Sequence, residues 1–233
     1  MVLELKKITK KYNGETVLVD VSLTFETGKR YLIRGVSGAG KTTLIRIILG
    51  LEEPEVGSIS IHDCSNTAQT DGGNNSDETS SETDNKVSDN VQNAKKSYRE
   101  YKKALKNVRF GTVFQEDRLC EEQNAVTNIH ITSPGISKEE TLSELGKLLP
   151  DEDVDKPVSE LSGGMKRRVS LVRACVAKRD IYLLDEPFMG LDSENAERAA
   201  RYIDEKTRDG ILILTTHTEG FTGCIEGLDF IKL

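Results

Sequence analysis

Tryptophan is absent from this 233-residue chain, and aromatic residues of all kinds make up only 5% of it. A core therefore has to be built from Val, Ile and Leu, and at this length roughly 70–75% of the unfolded chain's surface can be buried. Long apolar runs are missing as well. No stretch approaches the ~18–20 residues needed to span a bilayer as a helix. The N-terminus, MVLELKKITKKY, lacks the continuous apolar segment of a secretory signal. Cysteine is sparse and scattered: Cys64, Cys120, Cys175 and Cys224 form no C-x-x-C pair, which points to four reduced thiols rather than a disulfide framework or a zinc site. Positive charge is not in excess either. The chain has 39 acidic against 32 basic side chains, a net charge of −7, which disfavours a basic DNA-binding protein. These absences leave a soluble, cytosolic, globular protein with no nucleic-acid partner expected.

The negative charge has one main location. Residues 63–92 contain Asp63, Asp71, Asp77, Glu78, Glu82, Asp84 and Asp89 against Lys86 alone, and within 65–93 only Ala68, Val87 and Val91 are apolar. Such a segment buries too little surface to offset its ordering entropy, so 65–93 reads as an acidic, low-complexity insertion, disordered or loosely ordered. The next stretch, 94–109, reverses the sign with Lys95, Lys96, Arg99, Lys102, Lys103, Lys106 and Arg109 against Glu100. Tyr98, Tyr101 and Leu105 recur there at helical spacing, which predicts an amphipathic helix over 94–107 with a basic outer face. That face is either a docking surface for acidic groups or a solvated face balancing the acidic segment.

Elsewhere, short apolar strands alternate with helices. Val17, Val19, Val21, Leu23 and Phe25 alternate with Leu18, Asp20, Ser22 and Thr24, the two-residue period of a strand. Arg30–Arg34, Val108–Phe114, Ile181–Leu184, Ile211–Leu214 and Asp229–Leu233 read as further strands. Helices are expected from Lys41 to Gly50, after Ser162, and over Ser193–Arg208 with Ser193 as a plausible N-cap. Fully apolar strands separated by helices indicate a parallel sheet covered on both faces.

Between the second strand and the first helix, Gly35-Val36-Ser37-Gly38-Ala39-Gly40-Lys41-Thr42 fits G-x-x-x-x-G-K-[ST]. Glycines let successive backbone N–H groups turn inward around a diphosphate, and the helix N-terminus behind them adds its positive end. Lys41 is placed to reach the β and γ phosphates, and the Thr42 hydroxyl to coordinate Mg²⁺. Farther on, Ile181-Tyr-Leu-Leu-Asp185-Glu186 is an apolar strand ending in two acids. Asp185 suits the Mg²⁺ shell and Glu186 the polarisation of an attacking water. Ser162-Gly163-Gly164 at a helix N-terminus offers a hydroxyl, free N–H groups and a positive dipole end, either as a simple cap or as a second anion site.

With these motifs in order, the chain resembles ABC-type ATPases, specifically the nucleotide-binding subunits of ABC transporters. The resemblance rests on the phosphate loop, on Gln115 in Val113-Phe-Gln115-Glu, on Leu161-Ser162-Gly163-Gly164-Met165, on Asp185-Glu186, on Gly190-Leu191-Asp192 and on His217 in Leu214-Thr-Thr-His217. It covers nearly the whole chain apart from about residues 65–107. It implies an α/β, P-loop NTPase fold: a mostly parallel core sheet flanked by helices, an N-terminal antiparallel β subdomain and a small helical subdomain at about 116–160, all in one ATPase domain over 1–233.

The resemblance also implies roles. ATP and Mg²⁺ are the expected ligands. Tyr12 would stack on adenine, residues Gly35 to Thr43 would hold the phosphates, and Ser162, Gly163 and Gly164 would grip the nucleotide of a second subunit. Thr42, Gln115 and Asp185 would organise the metal, and Gln115 would also contact the attacking water, a catalytic role, and relay motion to the membrane subunit. Glu186 would act as general base, and His217 would contact the γ-phosphate. Asp192 would touch the opposite subunit, and Thr127-Asn128-Ile129 resembles a contact region for a permease. The expected assembly is a homodimer or heterodimer of ATPase subunits. It would be cytoplasmic and peripherally attached to the membrane through separate transmembrane permease subunits. Met165 stands where the family usually has Gln, and Met189-Gly190 where it usually has Ser-Ala; the phosphate-holding positions are intact. Sixteen residues follow His217, so no appended regulatory domain is expected. The alternative is a non-transport ABC ATPase of DNA repair, translation or cluster assembly. Translation-type members carry two such domains and repair-type members long coiled-coil insertions, and this chain has neither.

Overall fold

A computed structural model describes residues 1–63, 83–150, 153–217 and 220–233. The chain forms two compact units, Met1–Glu26 with Ser37–Asn107, and Thr27–Val36 with Val108–Leu233.

The first unit is built on an antiparallel sheet of β1 (Val2–Tyr12), β2 (Glu15–Glu26) and β4 (Val56–His62), with β1 in the middle. Asn13 and Gly14 turn β1 into β2, both at positive φ (49° and 85°), as a two-residue hairpin turn of the primed type requires. In β1 the inward positions are Leu3, Leu5 and Ile8, all buried. A strict period of two would bring Lys7 inward instead. An irregularity between Leu5 and Ile8, with Lys7 at φ 52°, restores an apolar residue to the core face.

The same device corrects the alternation expected for β2. Leu18 is the buried residue at 2% exposure, while Val19 stands 70% exposed. The reason is a bulge: Ile8 pairs with Val21 and Lys10 with Leu18, so β2 spends one residue more than β1, at Asp20 with φ 50°.

Helix α1 (Lys41–Ile48) follows the phosphate loop, and α2 (Thr83–Ala104) packs across β4 through buried Ala94, Tyr98 and Tyr101. The Tyr101 hydroxyl donates to the Ile48 carbonyl at the end of α1. The basic helix thus begins at Thr83, earlier than the expected 94, and closes in a 3-10 turn at Leu105–Asn107. Once the tyrosine-anchored half exists, each added residue costs little, and 83–93 contains neither Gly nor Pro to stop propagation. The remainder of the acidic insertion, 64–82, lies outside the described residues.

The second unit carries a five-stranded parallel sheet in the order β5 (Phe110–Val113), β6 (Ile181–Asp185), β7 (Ile211–Thr215), β3 (Arg30–Arg34), β8 (Leu228–Lys232). Every residue of β6 and β7 is buried, which is why both read as unbroken apolar runs. The span expected to be helical contains α3 (Ala125–Thr132), α4 (Lys138–Gly146) and a short 3-10 turn, packed with α5 (Gly163–Cys175). Helix α6 (Ser193–Lys206) buries Ala196, Ala199, Ala200 and Ile203 on one face. Its N-cap is Asp192 rather than Ser193, because the Asp192 carboxylate accepts the Asn195 N–H at 2.9 Å. Cys120, Cys175 and Cys224 are free thiols, and burial pushes Cys175 up to about 12, so it is an inert packing residue. Cys64 lies outside the described residues.

Candidate nucleotide-binding and hydrolysis residues

In the first unit, the chain from Ser37 leads into α1 through two glycines in the left-handed region, Gly38 at φ 83° and Gly40 at φ 89°. Gly40 is the N-cap and offers no side-chain cap to the first-turn amides. A Cβ on Gly40 would lie 2.5 Å from Leu18 Cδ2 and 3.0 Å from the Val17 carbonyl, whereas one on Gly38 would meet open space. Gly40 is therefore glycine for two reasons, conformation and room. Gly40→Ala is expected to destabilise the protein by about 1–3 kcal/mol, measured by urea unfolding. Lys41 and Thr43 are buried, and Thr42 is half-buried. A loop of left-handed glycines ahead of a helix start without a side-chain cap is a cradle that fits a polyphosphate. Tyr12 ends β1, with its hydroxyl donating to Glu52 and the Lys10 ammonium 5.2 Å from its ring centroid. Burial, then the Glu52 carboxylate, raises the Tyr12 hydroxyl above its ordinary value.

In the second unit, four parallel neighbours deliver their carboxyl ends to one edge of the sheet. β5 runs on to Gln115, β6 ends at Asp185 and passes to Glu186, β7 ends at Thr215 two residues before His217, and β3 leads to Gly35 and Val36. Ligands of open parallel sheets bind at this edge. Asp185 is buried, and its Oδ1 accepts the Thr215 hydroxyl at 2.6 Å. Glu186 has φ 51°, a strained value for a residue with a Cβ. Its N–H donates to the Thr215 carbonyl at 3.1 Å and lies 3.2 Å from the Thr215 hydroxyl, so one threonine holds both acids. The Glu186 carboxylate accepts the His217 N–H at 3.1 Å, and His217 Nε2 stands 3.4 Å from Oε1. Oε1 is itself buried and receives no hydrogen bond. A carboxylate beside a histidine at this edge of the sheet has the chemistry of a general base.

Ser162 caps α5, its hydroxyl accepting the Met165 N–H at 3.3 Å. Around Gly163 there is open space, while a Cβ on Gly164 would stand 3.0 Å from the Gly190 carbonyl. The second glycine thus lets the start of α5 approach the loop that carries Gly190 and Asp192.

A model of the family described as ABC transporter matches residues 18–189. The chain belongs to the ABC transporter family. It is 33% identical over 209 residues to a macrolide export ATP-binding/permease protein, MacB, of Shewanella sp. (strain ANA-3), covering 87% of this chain and 28% of that protein. It is 33% identical over 224 residues to an Fe(3+) ions import ATP-binding protein, FbpC 2, of Pectobacterium atrosepticum, covering 94% and 56%. With the lipoprotein-releasing system ATP-binding protein LolD of Bacteroides thetaiotaomicron it shares 31% identity over 227 residues, covering 94% and 91%. The chain thus spans from about a quarter to about half the length of the first two relatives and nearly all of the third. Its fold is similar to the dimeric structure of a bacterial ABC transporter cassette, with a TM-score of 0.71 at 23% identity over 99% of this chain and 94% of that one.

Within the second unit of this ABC transporter family member, the structure brings together Asp185, Glu186 and His217 around Thr215, and sets Gly164 against the loop before Asp192. Thr215 was not singled out from the sequence, although it stands two positions before His217 in the same Leu-Thr-Thr-His run. Asp192 spends its carboxylate on the N-terminus of α6, where the Asn195 N–H and side chain hold it below the usual carboxylate range. Asn128, expected near a permease contact, is buried instead. Its side chain accepts the Cys120 N–H at 2.7 Å and donates to the carbonyls of Cys120, Gln123 and Asn124. Ile129 beside it is buried too, so of those three residues only Thr127 is partly open. Arg167 is not marked by the sequence either: it lies in the helix that begins after Ser162, where nothing in its spacing distinguishes it.

Proposed function

We propose that this chain is the ATP-binding and ATP-hydrolysing subunit of an ABC transporter, a single ATPase domain over 1–233 that dimerises around two ATP molecules and drives separate transmembrane permease subunits. The observation that carries the reading is Glu186, held on a strained backbone between Thr215 and His217 with one carboxylate oxygen undonated, in a chain of this family. In this reading Lys41 and the amides of residues 35–43 hold the phosphates and Tyr12 lies against adenine. Ser162, Gly163 and Gly164 close over the ATP of the partner subunit. Glu186 takes a proton from the attacking water, and His217 steadies Glu186 and faces the γ-phosphate.

In this reading the Thr42 hydroxyl, the Gln115 amide oxygen and the Asp185 carboxylate would hold Mg²⁺, a hard cation that takes oxygen donors of this kind. When bound, Mg²⁺ neutralises charge developing on the phosphates. Among the described residues no helix is long and apolar enough to cross a membrane. In this reading the subunit works at the cytoplasmic face, held there by its permease partners. The relatives carry both export and import names, so the direction of transport belongs to the subunits that this one drives.

The test is twofold. The purified chain is expected to turn over ATP only with Mg²⁺, and to co-purify from solubilised membranes with a multi-span protein. A ribosomal or DNA partner in place of the permease would instead favour the non-transport ABC ATPase.

A further inference from the structure

The loop that carries Gln115 is held almost entirely by one helix. Arg167 lies on α5, five residues after Ser162, and its side chain is 2% exposed. Its Nη1 donates to the Phe114 carbonyl and its Nη2 to the Gln115 carbonyl, each at 2.6 Å. Nη1 also stands 3.1 Å from Asp117 Oδ1. Six residues along the same helix, Arg173 donates from Nη2 to the Asp117 carbonyl at 2.7 Å and from Nη1 to the Arg118 carbonyl at 2.8 Å. The loop so held is strained, with Arg118 at φ 47° and its guanidinium 4.4 Å from the centre of the Phe114 ring. Four carbonyls of a five-residue loop are thus taken by two guanidinium groups from a single rigid element.

We propose that Arg167 is a positioning residue for Gln115, fixing the backbone from which that side chain leaves and tying it to the helix that begins at Ser162. The proposal rests on the reading that Gln115 serves the ATP site. A guanidinium fork is the chemistry this task needs. Its two N–H groups lie in one plane at fixed separation, so both carbonyls are located at once, and charged donors bond more strongly than neutral ones. A lysine ammonium could reach one carbonyl but would not set the angle between two. The loop and α5 then move as one body. Any shift of the Ser162 end on gripping phosphate displaces Gln115 by a similar amount, linking Ser162-Gly163-Gly164 to the Gln115 loop of the same subunit.

The experiment is a double-mutant cycle between Arg167 and Gln115, with exchange as an independent readout. Arg167→Gln is expected to lower kcat by about 10–100-fold, the scale of a misplacement near 1 Å, with the equilibrium Kd for ATP changed by less than about threefold. Arg167→Lys is expected to fall between wild type and Arg167→Gln. In a Gln115→Ala background, Arg167→Gln is expected to cost less than about twofold more, because the residue it acts through is already gone. Hydrogen–deuterium exchange at residues 114–118 is expected to speed up by at least about tenfold in both Arg167 variants while α5 keeps its protection. Additive losses in the cycle would overturn the proposal, as would unchanged exchange at 114–118. If the wild-type chain hydrolyses no ATP, the proposed function fails, and the exchange measurement still decides whether Arg167 holds the loop. Should Arg167→Gln not fold, Arg167→Lys carries the cycle and the exchange measurement with the same outcomes.

Discussion

Glu186→Gln is expected to lower ATP turnover by about 10²–10⁴-fold, the usual contribution of a positioned general base, while leaving ATP binding within a few-fold of wild type. The substitution is nearly isosteric, and the left-handed backbone at φ 51° makes the same demand on Gln as on Glu. The His217 N–H, now bonded to the carboxylate at 3.1 Å, can still find the amide oxygen. The other half of the group changes completely: where Oε1 now receives no hydrogen bond, the amide NH₂ can donate but cannot take a proton. Lys41, Thr42 and the phosphate loop are untouched. Since binding persists without hydrolysis, the variant is expected to accumulate as an ATP-bound dimer, visible by size-exclusion chromatography with ATP and absent without it. Steady-state turnover checks the first expectation, and undiminished turnover would remove Glu186 from the role of base.

The motif residues were legible because their chemistry forces composition. Gly40 has no room for a Cβ beside Leu18, and the carboxyl ends of buried parallel strands announce themselves as an apolar run followed by acids. The parallel sheet was legible for the same reason, since strands covered on both faces have no period to misread. The antiparallel sheet was harder. β1 and β4 were not recognised as strands, and the phase of β2 was misjudged at Leu18 and Val19, because bulges at Lys7 and Asp20 reset the alternation without any Gly or Pro to signal it. The start of α2 at Thr83 was hidden in polar composition, which argues against burial but not against a helix carried forward from an anchored end. Asp192 and Ser193 are both good caps standing side by side, and only the bond to the Asn195 N–H separates them. Arg167 shows the deeper limit. A buried arginine reads in sequence as one more surface charge, and its value lies in two carbonyls more than fifty residues upstream.

Arg30→Ala is expected to cost about 3–5 kcal/mol of stability, the penalty for removing one partner of a buried ion pair. Arg30 opens β3 and Asp204 lies near the end of α6, both with side chains 9% exposed. The guanidinium donates to the Asp204 carboxylate, from Nη1 to the Glu226 carbonyl at 3.0 Å and from Nη2 to the Asp204 carbonyl at 3.1 Å. Truncation therefore removes a donor from the buried Asp204 carbonyl and from the partly buried Glu226 carbonyl as well as from the carboxylate, which keeps Arg208 at 2.7 Å and the Glu226 N–H at 3.0 Å. Acid should reveal the same pair. Burial by itself would raise the Asp204 carboxyl, but the bonds from Arg208, the Glu226 amide and Arg30 outweigh it and hold the group below the usual carboxylate range. A carboxyl depressed in the folded state contributes stability above its unfolded value, about 3.9, and loses it as the pH falls through the lower folded value. Without Arg30, burial has less to oppose it, so the variant has less of this stability to lose. The gap between wild type and Arg30→Ala in urea unfolding is therefore expected to be widest near pH 7 and to narrow below about pH 4. Replacing both partners, Arg30→Met with Asp204→Leu, is expected to recover most of the loss at pH 7, because it removes the buried carboxylate that Arg208 and one amide would otherwise balance without Arg30. A double variant as unstable as Arg30→Ala would mean that the stranded carbonyls of Asp204 and Glu226, not the carboxylate, set the penalty.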